Sequence, residues 1–306
     1  IWAFFGVSCA LAAPLNVVVT VGMVADVVRA VGGDAVHVTT LMGSGVDPHS
    51  YRQTRSDVSM LARADMIFAS GLHLEAQLDN LLDRLGERKP VIRVADRFDP
   101  GDLIEAAGFS GRYDPHVWMD PALWAKTTEI VRDALSEALP ADRGTFRANA
   151  DAYAAKLVVL GERIKTMIET ISIEQRVLVT AHDAFGYFGR AFGVEVIGIQ
   201  GLSTASEAGL QRIETLVSLL VARDIKAAFV ESSVSAQNVR ALIEGARAHG
   251  GNVAIGGTLF SDALGREGTF EGTYIGMIDH NATTITRALG GRAPEQGVSG
   301  KLASSS

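Results

Sequence analysis

The chain has 306 residues, a length that accommodates two domains. It is 47% hydrophobic and 7% aromatic with 32 glycines, a globular α/β profile that excludes a disordered or fibrous protein. A net charge of −7 with no basic block argues against nucleic acid or an anionic membrane surface as a partner.

Residues 1–13 read as part of a signal peptide. Positions 1–7 are apolar and uncharged, and Ala10-Leu11-Ala12 is an A-x-A cleavage pattern. The run is too short to span a bilayer. Cleavage is expected after Ala12, with export to the periplasm or another extracytoplasmic space. Lipid attachment at Cys9 is the alternative, although Gly6-Val7-Ser8-Cys9 lacks the usual leucine three residues before the cysteine. Loss of Cys9 would leave no cysteine, so a metal site would be built from histidine and carboxylate.

The mature chain opens on the β-branched run 16–21, of strand length. A helix follows to Val31, and Gly32-Gly33 ends it. Strand 36–41 leads into the loop that carries His49. Then come helix 57–63, strand 66–69, helix 74–85 and strand 91–94. Alternating β and α elements predict a largely parallel sheet, here an N-terminal lobe over 14–140.

Residues 141–171 differ in kind. Phe146, Ala150, Tyr153, Leu157, Leu160, Ile164, Met167 and Ile171 are spaced alternately by four and three residues, an unbroken helical stripe. Such a helix would be about 45 Å long, more than one small domain needs. One helix lying along both halves and linking them is expected, with a coiled-coil arm as the alternative. The alternation then resumes as strand 176–180, helix 184–192, strand 194–199, helix 207–223, strand 227–231, helix 237–248, strand 252–255 and helix 272–289. These form a C-terminal lobe over 172–290. The Gly/Ser/Pro-rich segment 291–306 reads as a flexible tail.

The chemistry gathers around a repeated tripeptide. Asp47-Pro48-His49 returns as Asp114-Pro115-His116 in a chain with only seven histidines and eight prolines. Proline stiffens its own φ and pushes the preceding residue towards extended backbone, so each histidine sits on a short rigid mount. One copy alone would be a turn with a surface histidine; two copies point to a shared metal site. In open parallel sheets ligands gather beyond the carboxyl ends of strands. His182 follows the run 177–181, and Asp262 lies just past the last strand, so each half supplies two candidates. Three imidazoles and one carboxylate suit Zn²⁺ or Mn²⁺. Asp120 and Glu231 are candidates to hold imidazole N–H groups. His37 reads as a surface strand residue, His73 as a helix opener, His249 as a helix end and His280 as structural. No H-E-x-x-H, G-x-S-x-G or G-x-x-x-x-G-K-[ST] motif occurs. Four protein donors would close a zinc site, which favours capture over catalysis. The alternative is a metal-dependent hydrolase with Asp183 or Glu231 as base.

With these motifs the chain resembles the metal-binding receptors of ABC importers, the cluster A-I or TroA-like solute-binding proteins. The likeness covers nearly all of the mature chain. It is most specific at 46–51, 114–121, 181–188 and 256–262. It implies the ligands His49, His116, His182 and Asp262, and two β/α lobes joined by one long helix with the metal in the cleft between them. It also implies an inner-membrane ABC permease as partner, and a monomer is expected. Manganese and iron receptors often carry glutamate at the third ligand. His182 matches zinc receptors and those that take both zinc and manganese. Many dedicated zinc receptors carry a long histidine- and acid-rich loop before the second ligand, whereas 106–113 is short and has no histidine. Zn²⁺ or Mn²⁺ is therefore expected as the transported ligand rather than a catalytic cofactor. A surface adhesin that retains the receptor fold is a further alternative within the family. A helix spanning both lobes would resist wide hinge closure, so release is expected through small shifts of the loops bearing His182 and Asp262.

Overall fold

The computed structural model describes residues 13–106 and 111–303. The signal-peptide reading, its cleavage site and Cys9 fall outside the described residues. The first half contains β1 (Leu15–Val21), α1 (Gly22–Gly32), β2 (Val36–Met42), α2 (Arg55–Arg63), β3 (Met66–Ala69), α3 (Asp79–Gly86) and β4 (Val91–Arg93). Its sheet runs β2-β1-β3-β4 and every pair is parallel. Val17, Val18, Val19 and Val21 of β1 are buried, as a strand covered on both faces requires. Short helices α4 (Pro121–Trp124) and α5 (Thr127–Ala138) lead to α6 (Arg143–Ile168). The second half contains β5 (Val177–Thr180), α7 (Gly186–Phe192), β6 (Glu195–Gly198), α8 (Leu210–Ala222), β7 (Ala227–Glu231), α9 (Gln237–Ala248), β8 (Ala254–Leu259) and α10 (Tyr274–Ala288). β5 pairs with β6 and β7 with β8, again in parallel. β5 lies beside β7 without a continuous ladder.

Helix α6 joins the lobes. Its 26 residues span about 39 Å. Every stripe residue from Phe146 to Met167 is buried, and Ile171 just beyond the helix is buried too. α6 packs on α1, α4 and α5 of the first half and on α7 and α10 of the second. The stripe is thus consumed inside one chain, where each large apolar side chain contributes roughly 1.5–3 kcal/mol of burial free energy. No such face is left for a coiled coil. One hydrophobic cluster runs from the β1 valines through the stripe to Phe185, Phe188, Tyr274 and Ile285. A smaller cluster lies under α8 and α9.

Four details differ from the expectations. Helix 74–85 starts only at Asp79, after a run of turns with Leu72 and His73 at φ 51° and 60°. The cause is Glu75, whose buried carboxylate turns inward to accept from Ser70 N (2.7 Å), Gly71 N (3.2 Å) and Thr20 Oγ1. Helix α5, Thr127–Ala138, adds an element to those expected. The last strand extends to Leu259, beyond the expected end at 255, because Gly256 and Gly257 allow close packing: a Cβ on Gly256 would lie 2.7 Å from the Phe229 ring. The tail is docked over its described part, 291–303. Asp279, buried on α10, accepts from Val298 N and Ser299 N (2.9 Å each) and from the Ser299 hydroxyl, while Leu302 is buried. Among the described residues no helix is long and apolar enough to cross a membrane.

Candidate metal centre

The two Asp-Pro-His segments fold alike. Asp47 Oδ1 accepts from His49 N and Asp114 Oδ1 from His116 N, both at 2.9 Å, so each aspartate fixes the turn that presents its histidine. His49 follows β2, and His116 precedes a 3₁₀ turn, Val117–Met119. His182 comes two residues after β5, with its carbonyl accepting from Thr180 Oγ1 at 2.8 Å. Asp262 follows β8 on a braced turn. The Asn281 amide pairs with Phe260 N (2.9 Å) and Phe260 O (2.7 Å), and Trp118 Nε1 donates to Ser261 O at 2.9 Å.

All four side chains converge between the halves. One donor atom from each lies within 4.8 Å of the others, and all four residues are buried. His49 Nε2 and His116 Nε2 are 3.2 Å apart. Asp262 Oδ1 is 3.4 Å from His116 Nε2 and 3.9 Å from His49 Nε2, and Oδ2 is 3.2 Å from His182 Nε2. The outward ring nitrogens of two histidines are held by carboxylates: His116 Nδ1 by Asp114 at 2.7 Å and His182 Nδ1 by Glu231 at 2.6 Å. Nδ1–H donation to a carboxylate leaves the Nε2 lone pair directed inward, which is the tautomer a metal needs. His182 Nε2 and both Asp262 oxygens have no hydrogen-bond partner. Converging lone pairs repel unless a proton or a cation lies among them, so this group could hold one metal ion.

Protons compete for the same atoms. Burial opposes charge on His116, but Asp114, by charge and hydrogen bond, and Asp262 outweigh it and raise its pKa to about 9. His182 is likewise raised well above the ordinary imidazole value: burial opposes it, and Asp262 and Glu231 prevail. Burial takes His49 down to about 4; Asp262 opposes this, and His116 and His182 add to it. Burial alone would raise Asp262, but His182 and His116 hold it well below the usual carboxylate range.

The structure brings together His49, His116, His182 and Asp262. Glu231 takes the outer role expected of it, bonding both the backbone N–H and Nδ1 of His182. Asp120 does not: its carboxylate caps α4, accepting from Ala122 N and Leu123 N. Asp114 holds His116 instead, and the repeated Asp-Pro-His spacing was the available signal. Trp118 was also missed; it packs edge-on against His116 while bracing the Asp262 turn. His37 is exposed in β2, His73 bonds Asp79 at the surface, His249 bonds Gly245 O at the end of α9, and His280 bonds Thr258 O. A cleft of about 610 Å³ leads to His49 from solvent, lined in part by Tyr113, Asp114, Asp183 and Leu202.

Two β/α halves fixed on one helix, with a buried His₃Asp group between them, define a binding protein built around a cleft for a single ion. The family of the periplasmic zinc-uptake complex component A (ZnuA) matches residues 17–288, and the chain belongs to it. It is 46% identical over 275 residues to the manganese-binding lipoprotein MntA of Bacillus subtilis, covering 90% of each chain. It is 42% identical over 273 residues to the zinc-binding protein TroA of Treponema pallidum, covering 89% of this chain and 88% of TroA. The solved structure of TroA superposes with a TM-score of 0.88, covering 90% of this chain and 99% of the other.

Proposed function

We propose that this chain is an extracytoplasmic solute-binding protein that captures one Zn²⁺ or Mn²⁺ ion and delivers it to the permease of an ABC importer. The ligands are His49 Nε2, His116 Nε2, His182 Nε2 and the Asp262 carboxylate. The carrying observation is their convergence, with two imidazoles held at Nδ1 by carboxylates so that Nε2 is the nitrogen turned to the ion. The family match supports transport, and relatives named for manganese and for zinc support a site open to either ion. Imidazole nitrogen makes Zn²⁺ the tighter ligand in solution, and the two Asp262 oxygens leave room for Mn²⁺. The protein acts as a monomer, its long apolar stripe being used internally. Capture is favoured over hydrolysis because four protein donors close the coordination sphere and Glu231 is fully engaged by His182.

The direct test is Zn²⁺ affinity by chelator competition for parent and His116→Ala proteins. Loss of one buried ligand and its Asp114 support should weaken binding by at least about 100-fold. Equal affinity would show that the ion binds elsewhere. Restoration of metal-limited growth to a receptor-deficient strain, dependent on the importer's permease, separates delivery from adhesion.

A further inference from the structure

This inference rests on the metal-capture reading. Hydrogen bonds join the two halves at the back of the site and at its mouth. At the back they are buried and aromatic: Trp118 to Ser261 O at 2.9 Å and Tyr274 to Trp118 O at 2.7 Å, while Tyr187 donates to Asp114 O at 2.9 Å beneath the cleft. At the mouth, Thr204 Oγ1 donates to Asp47 Oδ2 at 2.6 Å. Thr204 is half-buried on the loop 199–209 between β6 and α8. That loop keeps its shape locally, through Gln200 Nε2 to Ser206 O (3.1 Å) and Ala205 N to Ser203 Oγ (3.2 Å). Gly201, Leu202 and Ser203 form one wall of the cleft that reaches His49.

The acceptor is what gives this contact its meaning. Asp47 holds the His49 backbone through Oδ1, and its Oδ2 also accepts from Ser50 Oγ at 2.9 Å. His49 is the most exposed of the four proposed ligands, at 6%. The mouth loop of one half is therefore tied, through one carboxylate, to the most accessible ligand of the other. We propose that Thr204 is a latch: a positioning residue that keeps the mouth closed over a bound ion and sets how fast the ion leaves. It acts through Asp47 and His49 and touches no metal itself. Opening the mouth requires breaking a hydrogen bond to a charged oxygen, one of the stronger kinds in proteins.

The test uses Zn²⁺ as the probe and follows its release from the full chain into excess chelator. Thr204→Val keeps the shape and removes the hydroxyl; Thr204→Ser keeps the hydroxyl and removes the methyl. The Val variant should release Zn²⁺ about tenfold faster, with an association rate no lower than the parent's. The Ser variant should release at the parent rate. A Val variant as slow as the parent overturns the latch, and so does a Ser variant as fast as Val, which would show that packing alone matters. A parent protein that binds no Zn²⁺ overturns the capture reading itself, an outcome distinct from either.

Discussion

Asp114→Asn separates two effects of one carboxylate. Asp114 orients His116 for the ion, yet it also stabilises the proton that the ion must displace. In the metal-free protein His116 holds that proton up to about pH 9. At about pH 7 the protonated ring outnumbers the neutral one by about 100 to 1, so displacement costs about 3 kcal/mol. His182 is raised in the same direction and adds a second proton; His49, down at about 4, adds none. Affinity should therefore rise with pH up to about pH 9, and more steeply than loss of the His116 proton alone would give. The asparagine Oδ1 can still accept from the His116 backbone N–H and from Nδ1–H, so the ring keeps its pose, but it no longer supports the imidazolium. The variant's log K should rise less steeply with pH than the parent's. Near pH 9 the variant should bind about 10–100-fold more weakly than the parent, for want of the carboxylate behind the ligand. Towards acid pH the two curves should converge. Competition with a chelator of known pH-dependent affinity measures K. Calorimetry in buffers of different ionisation enthalpy counts the protons released. A parent affinity flat across this range, or a variant curve parallel to the parent's, would refute the reasoning.

The same protons affect stability. A raised folded pKa gives stability that is complete below the unfolded value of about 6.5 and is lost as pH rises through about 9. The Tm of metal-free protein should fall over that interval, and Zn²⁺ should restore it; a Tm that climbs without metal would contradict this. Trp118→Phe leaves Ser261 O without its indole donor in a buried setting, a loss of about 1–3 kcal/mol in urea denaturation, with weaker Zn²⁺ binding as the Asp262 turn loosens. Gly198→Ala would place a Cβ 2.7 Å from the Asp183 backbone, next to His182. The forced shift should cost about 1–3 kcal/mol and reduce affinity in the same chelator assay. Leu157→Ala, at a fully buried stripe position, should cost about 2–5 kcal/mol.

Periodicity carried most of the fold. The valines of β1 and the stripe of α6 announce themselves because burial on a fixed face leaves a fixed spacing. The candidate site was legible for a different reason: in both copies of Asp-Pro-His the aspartate accepts from the N–H of the histidine two residues on, a contact local enough to leave a sequence motif. Distant partners left weaker traces. Glu75 sits in what looks like helix, and only its bonds to Thr20, Ser70 and Gly71 explain why the helix starts late. Asp120 and Asp114 both flank the same histidine, and the sequence alone does not say that one caps α4 while the other bonds the imidazole. The docking of 291–303 depends on Asp279, an apparently ordinary helix residue whose carboxylate gathers the tail's backbone N–H groups. The Thr204–Asp47 contact joins positions 157 residues apart and carries no local pattern at all.

The apolar cluster that passes from β1 through α6 into α10 has a consequence for the chain as a whole. The first half packs only into this shared cluster, and the second half, beyond its smaller cluster under α8 and α9, draws on the same helix. A fragment ending before α6 would expose the α1 surface that α6 covers, and one beginning after it would uncover α10. The halves can thus be neither expressed separately nor exchanged with those of a relative unless the connecting helix travels with a matched pair of surfaces.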